Sequence, residues 1–150
     1  CGGVGPCEIG DLVIGDGAYD GGSFPQLIGK NALAEGFTVP AEPAYTKRLE
    51  DFIRRDINDS SGVKKGPVFT VPSLFSELGS ITYEIQERGF LGLDMELAAV
   101  YAAAGKNNIP ASSILFVNDL PLKRPFWESA PEKEVMDRIV ELSLGFITGK

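Results

Sequence analysis

Gly92-Leu-Asp-Met-Glu-Leu-Ala-Ala-Val-Tyr101 and, one predicted strand later, Phe116-Val-Asn-Asp119 decide how this chain is expected to fold. The first stretch is a short apolar run, Phe90–Leu93, that enters Asp94. Asp94 has the side chain to N-cap a following helix, and Met95–Gly105 is Ala-rich and apolar nearly all round, which predicts a buried helix. Ser112–Val117 is apolar and β-branched without alternation, the pattern of a strand covered on both faces. A helix with a Met-Glu pair in its first turn, then a strand ending in Asp, places two carboxylates on one rim of a sheet.

Working outward, Asp11-Leu-Val-Ile-Gly15 predicts a buried strand entered through a Gly/Pro-rich turn. Residues 15–43 are rich in Gly, Pro, Asn and Asp and read mostly as loop. Leu49, Phe52, Ile53 and Ile57 give Tyr45–Ile57 the buried stripe of a surface helix. Gly66–Val71 is a second strand, stopped by Pro72. Ser73 caps a helix with the stripe Leu74, Leu78, Ile81 and Ile85, which Gly89 ends. Ser129-x-x-Glu132 is a capping box for a last helix whose inward residues are Val135, Met136, Ile139 and Val140. The order is strand, helix, strand, helix, helix, strand, helix. It predicts a single α/β domain over residues 1–150, with a mixed twisted sheet flanked by helices.

Composition bounds the function. A chain of 150 residues with 43% hydrophobic and 23% charged residues buries one core, as ordinary globular proteins do. Its net charge of −7 carries no offsetting basic block: Lys64-Lys65 and Lys123-Arg124 are the only basic pairs that stand apart from acids. A nucleic-acid partner is therefore not expected. No apolar run has the length to span a bilayer, and no membrane partner is expected. Cys1 and Cys7 are too few and too close for a disulfide scaffold, so a reduced, cytoplasmic setting is expected. Histidine is absent, which excludes Ser-His-Asp and Cys-His triads and His-ligated zinc. No Walker sequence, GxGxxG turn or metal site is present, and no cofactor is expected.

The acids have ordinary explanations as well as chemical ones. Asp94 and Glu96 in a first helical turn complement the macrodipole, and Asn118-Asp119 suits a turn. Chemically, a carboxylate with two oxygens can accept from two neighbouring sugar hydroxyls. A partly desolvated Asp can hold a proton for a leaving group. Together these are the tools for cutting an N-glycosidic bond.

These residues resemble the C-terminal part of the nucleoside phosphorylase superfamily, which includes purine nucleoside and uridine phosphorylases and nucleosidases. Gly89-Phe-Leu-Gly-Leu-Asp-Met-Glu96 is similar to its Gly-x-x-x-(Val/Ile)-(Glu/Asp)-Met-Glu signature. Phe116-Val-Asn-Asp119 is similar to its Val-Ser-Asp, and Asp20-Gly-Gly-Ser23 to its Asp-Gly-Thr-Ser turn. Cys1-Gly-Gly-Val-Gly-Pro6 with Ile9–Ile14 resembles the segment after its phosphate-binding strand, and Val68-Phe-Thr with Leu74-Phe75 the bend carrying its base-stacking aromatic. The likeness runs over nearly all of residues 1–148, in order.

The resemblance implies a pentosyltransferase of nucleoside metabolism that transfers the sugar of a purine nucleoside to phosphate, giving free base and ribose 1-phosphate. Met95 would line the sugar, Glu96 bind its hydroxyls, Phe75 stack on the base, and Asn118 contact it. Asp119 would protonate N7, and Arg124 would stand for the catalytic arginine. Phosphate is the co-substrate, and a homo-oligomer, from dimer to hexamer, is implied. The chain departs from the pattern at Asn118, where Ser is usual, and at Leu74, which takes the aromatic's place in a gapless alignment. The family's phosphate-binding glycine loop and arginine precede Cys1, so the fold is expected to lack its N-terminal half. A missing N-terminal segment is the expected partner, and the isolated chain is not expected to phosphorolyse nucleosides. The alternatives are a hydrolytic nucleosidase of the AMP or methylthioadenosine type, a non-catalytic nucleoside-binding relative, and a hydrolase using Cys1 as an N-terminal nucleophile.

Overall fold

The computed structural model describes residues 1–21, 38–57, 60–74, 80–128 and 133–149. Its elements are β1 (Gly2–Gly3), β2 (Leu12–Asp20), β3 (Thr38–Pro40), α1 (Pro43–Asp56), β4 (Val63–Thr70), α2 (Ser80–Glu87), β5 (Gly92–Asp94), α3 (Leu97–Lys106), β6 (Ser113–Phe116), a short 3-10 turn (Phe126–Glu128) and α4 (Lys133–Thr148). They build the predicted mixed α/β architecture, a curled sheet flanked by four helices.

The sheet is organised around β2. One edge of β2 pairs in parallel with β4 along its length, with a register shift between Gly15 and Gly17 where Asp16 bulges out. The other edge is shared. Leu12–Gly15 pair antiparallel with β6, and Gly17–Tyr19 pair antiparallel with β3. The bulge lies where one neighbour gives way to the other, as expected of a device that bends a strand. Beyond β4 lie β5, parallel, and β1, antiparallel. A parallel bridge between Gly2 and Asp119 then brings the chain after β6 alongside β1. The pairings β2–β4–β5–β1, the bridge from β1 to Asp119 and the pairing of β6 with β2 thus close a ring.

Side chains alternate across β2. Leu12 and Ile14 face a cluster with Leu49, Phe52, Ile53, Val63, Phe116 and Leu142, covered by α1 and α4. Val13 faces the opposite cluster with Val68, Leu97, Ala98, Tyr101 and Val117, covered by α3. Each fully buried Leu or Ile contributes roughly 1.5–3 kcal/mol. Tyr101 ties α3 to the bulge: its hydroxyl donates to the Gly15 carbonyl at 2.7 Å and lies 2.8 Å from Ser113 Oγ. Burial pushes the Tyr101 hydroxyl pKa up to about 12. Gly15 has no room for a side chain, since a Cβ would sit 2.7 Å from Ser113 Oγ.

Several expectations are corrected. The stretch read as loop from residue 15 is strand as far as Asp20, and Thr38–Pro40 is strand again. The glycines there mark a bulge and close packing, not turns. The run into Asp94 is the short strand β5, so α3 begins at Leu97 rather than Met95. Only one face of α3 is buried, and Val100 is exposed. β6 pairs with β2 along its whole length, yet Ser113, Ile114 and Leu115 are only partly buried and Phe116 alone is fully so. In α2, Ile81 is exposed and Thr82 and Ile85 are buried. In α4, Met136 and Val140 are exposed, while Val135, Ile139, Leu142 and Phe146 pack on the core. Leu78 and the Ser129–Glu132 capping box lie outside the described residues.

Candidate active site

A cleft of about 260 Å³ opens where β5, the start of α3 and the chain after β6 meet. Met95, Glu96, Asn118 and Asp119 all line it, so the four predicted residues from the two opening motifs come together. Leu74, Phe126, Asp94, Cys1, Gly2, Leu93 and Leu115 complete the lining.

The Met-Glu side of the cleft is set by a buried clamp. β4 and β5 place Thr70 opposite Asp94. Thr70 Oγ1 donates to Asp94 Oδ1 at 2.7 Å and accepts from the Ala98 N–H at 3.0 Å. Asp94 Oδ2 accepts from the N–H groups of Glu96 (3.1 Å) and Leu97 (2.6 Å). The N-cap position of α3 is therefore Glu96, not Asp94 as its sequence position suggested, and Asp94 holds the first N–H groups from within a strand. Burial pushes its carboxyl pKa up, against the pull of Thr70 and the two N–H groups. Its oxygens are committed to the fold. Met95 and Glu96 form the exposed step between strand and helix and carry their side chains to the cleft.

The Asp119 side is set by the first residues of the chain. Asn118 N–H donates to the Cys1 carbonyl at 3.0 Å, and Gly3 N–H donates to the Asp119 carbonyl at 2.8 Å. A Cβ on Gly3 would lie 2.5 Å from Val117 Cγ1, so only glycine allows this approach. Asp119 is 4% exposed, and its Oδ2 has no hydrogen-bond partner. Asn118 Oδ1 is likewise buried without a partner. Burial pushes the Asp119 carboxyl pKa up, and the Cys1 α-amino group pulls it the other way. Because β6 is antiparallel to β2, Asp119 does not sit beyond a parallel strand's carboxyl end. It reaches the cleft because the chain after β6 crosses to β1.

One predicted residue is not brought in, and another lies outside the described residues. Arg124 is exposed, its Nε donates to the Glu128 carbonyl at 3.3 Å, and it does not line the cleft. A tight turn between Leu120 and Arg124 holds it away. Phe75 lies outside the described residues, while Leu74, its neighbour in the gapless alignment, lines the cleft. Phe126 was missed. Its signal was the Pro125-Phe126-Trp127 run soon after Asp119, an aromatic group with no helical or strand periodicity to bury it. Among the described residues no group of three metal-ligating side chains forms, and no helix is long and apolar enough to cross a membrane.

Solved structures share this architecture. The P. knowlesi homologue of P. falciparum PNP superposes with a TM-score of 0.74 at 18% identity, covering 97% of this chain and 57% of that one. The Toxoplasma gondii purine nucleoside phosphorylase bound to immucillin-H gives 0.74 at 21% identity, covering 97% and 59%. The Streptococcus pyogenes S-adenosylhomocysteine nucleosidase bound to 5-methylthiotubericidin gives 0.68 at 16%, covering 97% and 63%. The chain thus spans less than two thirds of the length of these relatives. No curated protein matches it significantly. The family model of the phosphorylase superfamily matches residues 1–148, and with the fold in agreement, the chain belongs to that superfamily.

Proposed function

We propose that the cleft is the base and sugar half of a site that cleaves the N-glycosidic bond of a purine nucleoside by phosphorolysis. Glu96 accepts hydrogen bonds from the ribose hydroxyls and Met95 packs on the sugar. Asp119 gives its proton to N7 of the base as the bond from C1′ to N9 breaks, and the bonding electrons leave with the base. Phosphate attacks C1′ of the oxocarbenium-like sugar, giving ribose 1-phosphate and free base. In this reading the protein works as a homo-oligomer and needs no metal.

The observation that carries the reading is Asp119: a buried carboxyl, raised in pKa by that burial, with one oxygen unpartnered in the same cleft as Glu96. A raised pKa keeps the proton available nearer neutral pH than an ordinary aspartate does.

The test is a phosphate-dependence assay over a nucleoside panel on the full-length parent protein, with its intact mass verified. Ribose 1-phosphate formed from purine nucleosides, only when phosphate is present, is the expected result. Free ribose as product means a nucleosidase instead. Tight nucleoside binding without turnover means a non-catalytic relative.

A further inference from the structure

β6 stands at the margin of the sheet. It pairs with β2 along one edge, and among the described residues no strand lies along the other. Antiparallel alternation sorts its backbone groups. Val117 N–H donates to the Asp11 carbonyl at 2.9 Å, and the Phe116 carbonyl turns the opposite way, to the Cys1 nitrogen at 2.7 Å. By the same alternation Leu115 bonds β2, while the N–H and carbonyl of Ile114 and the N–H of Phe116 face the free edge. An apolar, partly buried edge of this kind is a template for another strand. A helix face is open beside it. Ser112 and Ile114 share a groove of about 140 Å³ with Ser143 and Ile147 of α4. From Ile147 an exposed apolar stripe runs back along α4 through Leu144 and Val140 to Met136.

We infer that this edge and stripe receive the segment that leads into Cys1 in the full-length parent, as a strand parallel to β6. The ladder has already begun. The Cys1 nitrogen donates to the Phe116 carbonyl, and the Cys1 carbonyl accepts from Asn118 N–H at 3.0 Å. These are the two bonds that set Cys1 opposite Val117 in a parallel pair. Gly2 bridges Asp119 in the same sense. Carried back in that register, the four residues before Cys1 lie opposite Phe116, Leu115, Ile114 and Ser113. Counting back from Cys1, the second offers its N–H to the Ile114 carbonyl and its carbonyl to Phe116 N–H. The fourth accepts from Ile114 N–H. Every outward backbone group of Ile114 and Phe116 then has a partner. Ile114 packs on the α1–α4 cluster and Leu115 on the α3 cluster, so a strand in register with them is covered on both faces and is expected to be apolar on both. The chain covers only 57% to 63% of the solved relatives compared above, so a protein of their length has residues for this strand.

Amide hydrogen exchange, read residue by residue on the full-length parent, tests this. Ile114 and Phe116 are expected to exchange about a hundredfold or more slower than unprotected amides, at every protein concentration. Fast exchange at both, with Leu115 protected through β2, overturns the docking. Protection lost on dilution means that a second copy covers the edge, and overturns the chosen occupant. A proline at the second residue before Cys1 removes the N–H that faces the Ile114 carbonyl. It is expected to speed exchange at Ile114 and Phe116 by about tenfold or more and to leave Leu115 slow. Unchanged protection means that another segment lies on β6, which also overturns the inference. If the proline variant fails to fold, nuclear Overhauser contacts between Ile114 and the residues before Cys1 in the unsubstituted parent decide the same point, their absence overturning it.

Discussion

Asp119 is one residue on which chemistry and stability make opposite demands. Its carboxyl is buried and raised in pKa, so the folded chain holds that proton more tightly than the unfolded chain does. The stability it contributes is fully present below the ordinary carboxylate range and is lost as pH rises through the folded-state value. Asp119→Asn removes that loss. Thermal melts should show the variant more stable than the parent at about pH 8, with the advantage gone at about pH 3. In the full-length protein the same change should cost about 10²–10⁴ in kcat, the worth of a general acid. It should also erase the limb of the kcat profile on which the parent loses activity as pH rises. Unchanged kcat in the variant would remove Asp119 from the chemistry. Glu96 makes a separable prediction. Glu96→Ala should weaken nucleoside binding by about tenfold or more and leave the free base unaffected, because it deletes an acceptor for the sugar alone. Titration with a nucleoside and its base reads the two terms apart.

The elements that carry these residues were unequally legible. α1 announced itself by helical periodicity, while β2 and β4 showed only in part, as the apolar stretches Asp11–Gly15 and Gly66–Val71 within Leu12–Asp20 and Val63–Thr70. β3 and β5 have three residues each, too few to show alternation, and they exist because long neighbours offer them an edge. α4 was legible as a helix but not in its facing: Met136 and Val140 are apolar and still point outward. The Thr70–Asp94 clamp shows how a short strand shapes the site. It ends β5 and starts α3 around the Met95-Glu96 step. Thr70→Val keeps the shape but removes the donor to Asp94 and the acceptor for Ala98 N–H. It should cost about 1–3 kcal/mol in denaturant unfolding, the penalty of buried groups left unsatisfied. If the clamp positions Glu96, nucleoside affinity should fall and base affinity hold. Equal loss of both would make it a purely structural contact.

At the scale of the whole molecule, the site depends on the closure of the strand ring. Glu96 hangs from β5 and Asp119 from the chain after β6, and the segment that joins these two sides is Cys1–Gly3. No local pattern announces this closure. Asp119 was found in the sequence as a strand-end acid, yet the contacts that place it come from residues more than a hundred positions away. Arg124 fails for the converse reason: its sequence position is near Asp119, but the turn after Asp119 carries it off. The closure is testable at Gly3, where a Cβ meets Val117 Cγ1 at 2.5 Å. Gly3→Ala must push Val117 or the first strand aside, and overpacking of that kind costs about 1–3 kcal/mol. Because Asn118 and Asp119 follow Val117 directly, the variant should lose purine binding at temperatures where it is still folded. Gly105 in α3 is the control. A Cβ there meets nothing within 4 Å, so Gly105→Ala should stabilise by up to about 1 kcal/mol through helix propensity and leave binding unchanged. Thermal melts and base titrations on the two variants should therefore move in opposite directions in stability, and only Gly3→Ala should move affinity. Intact purine binding in Gly3→Ala would show that Asp119 is held in place without the ring.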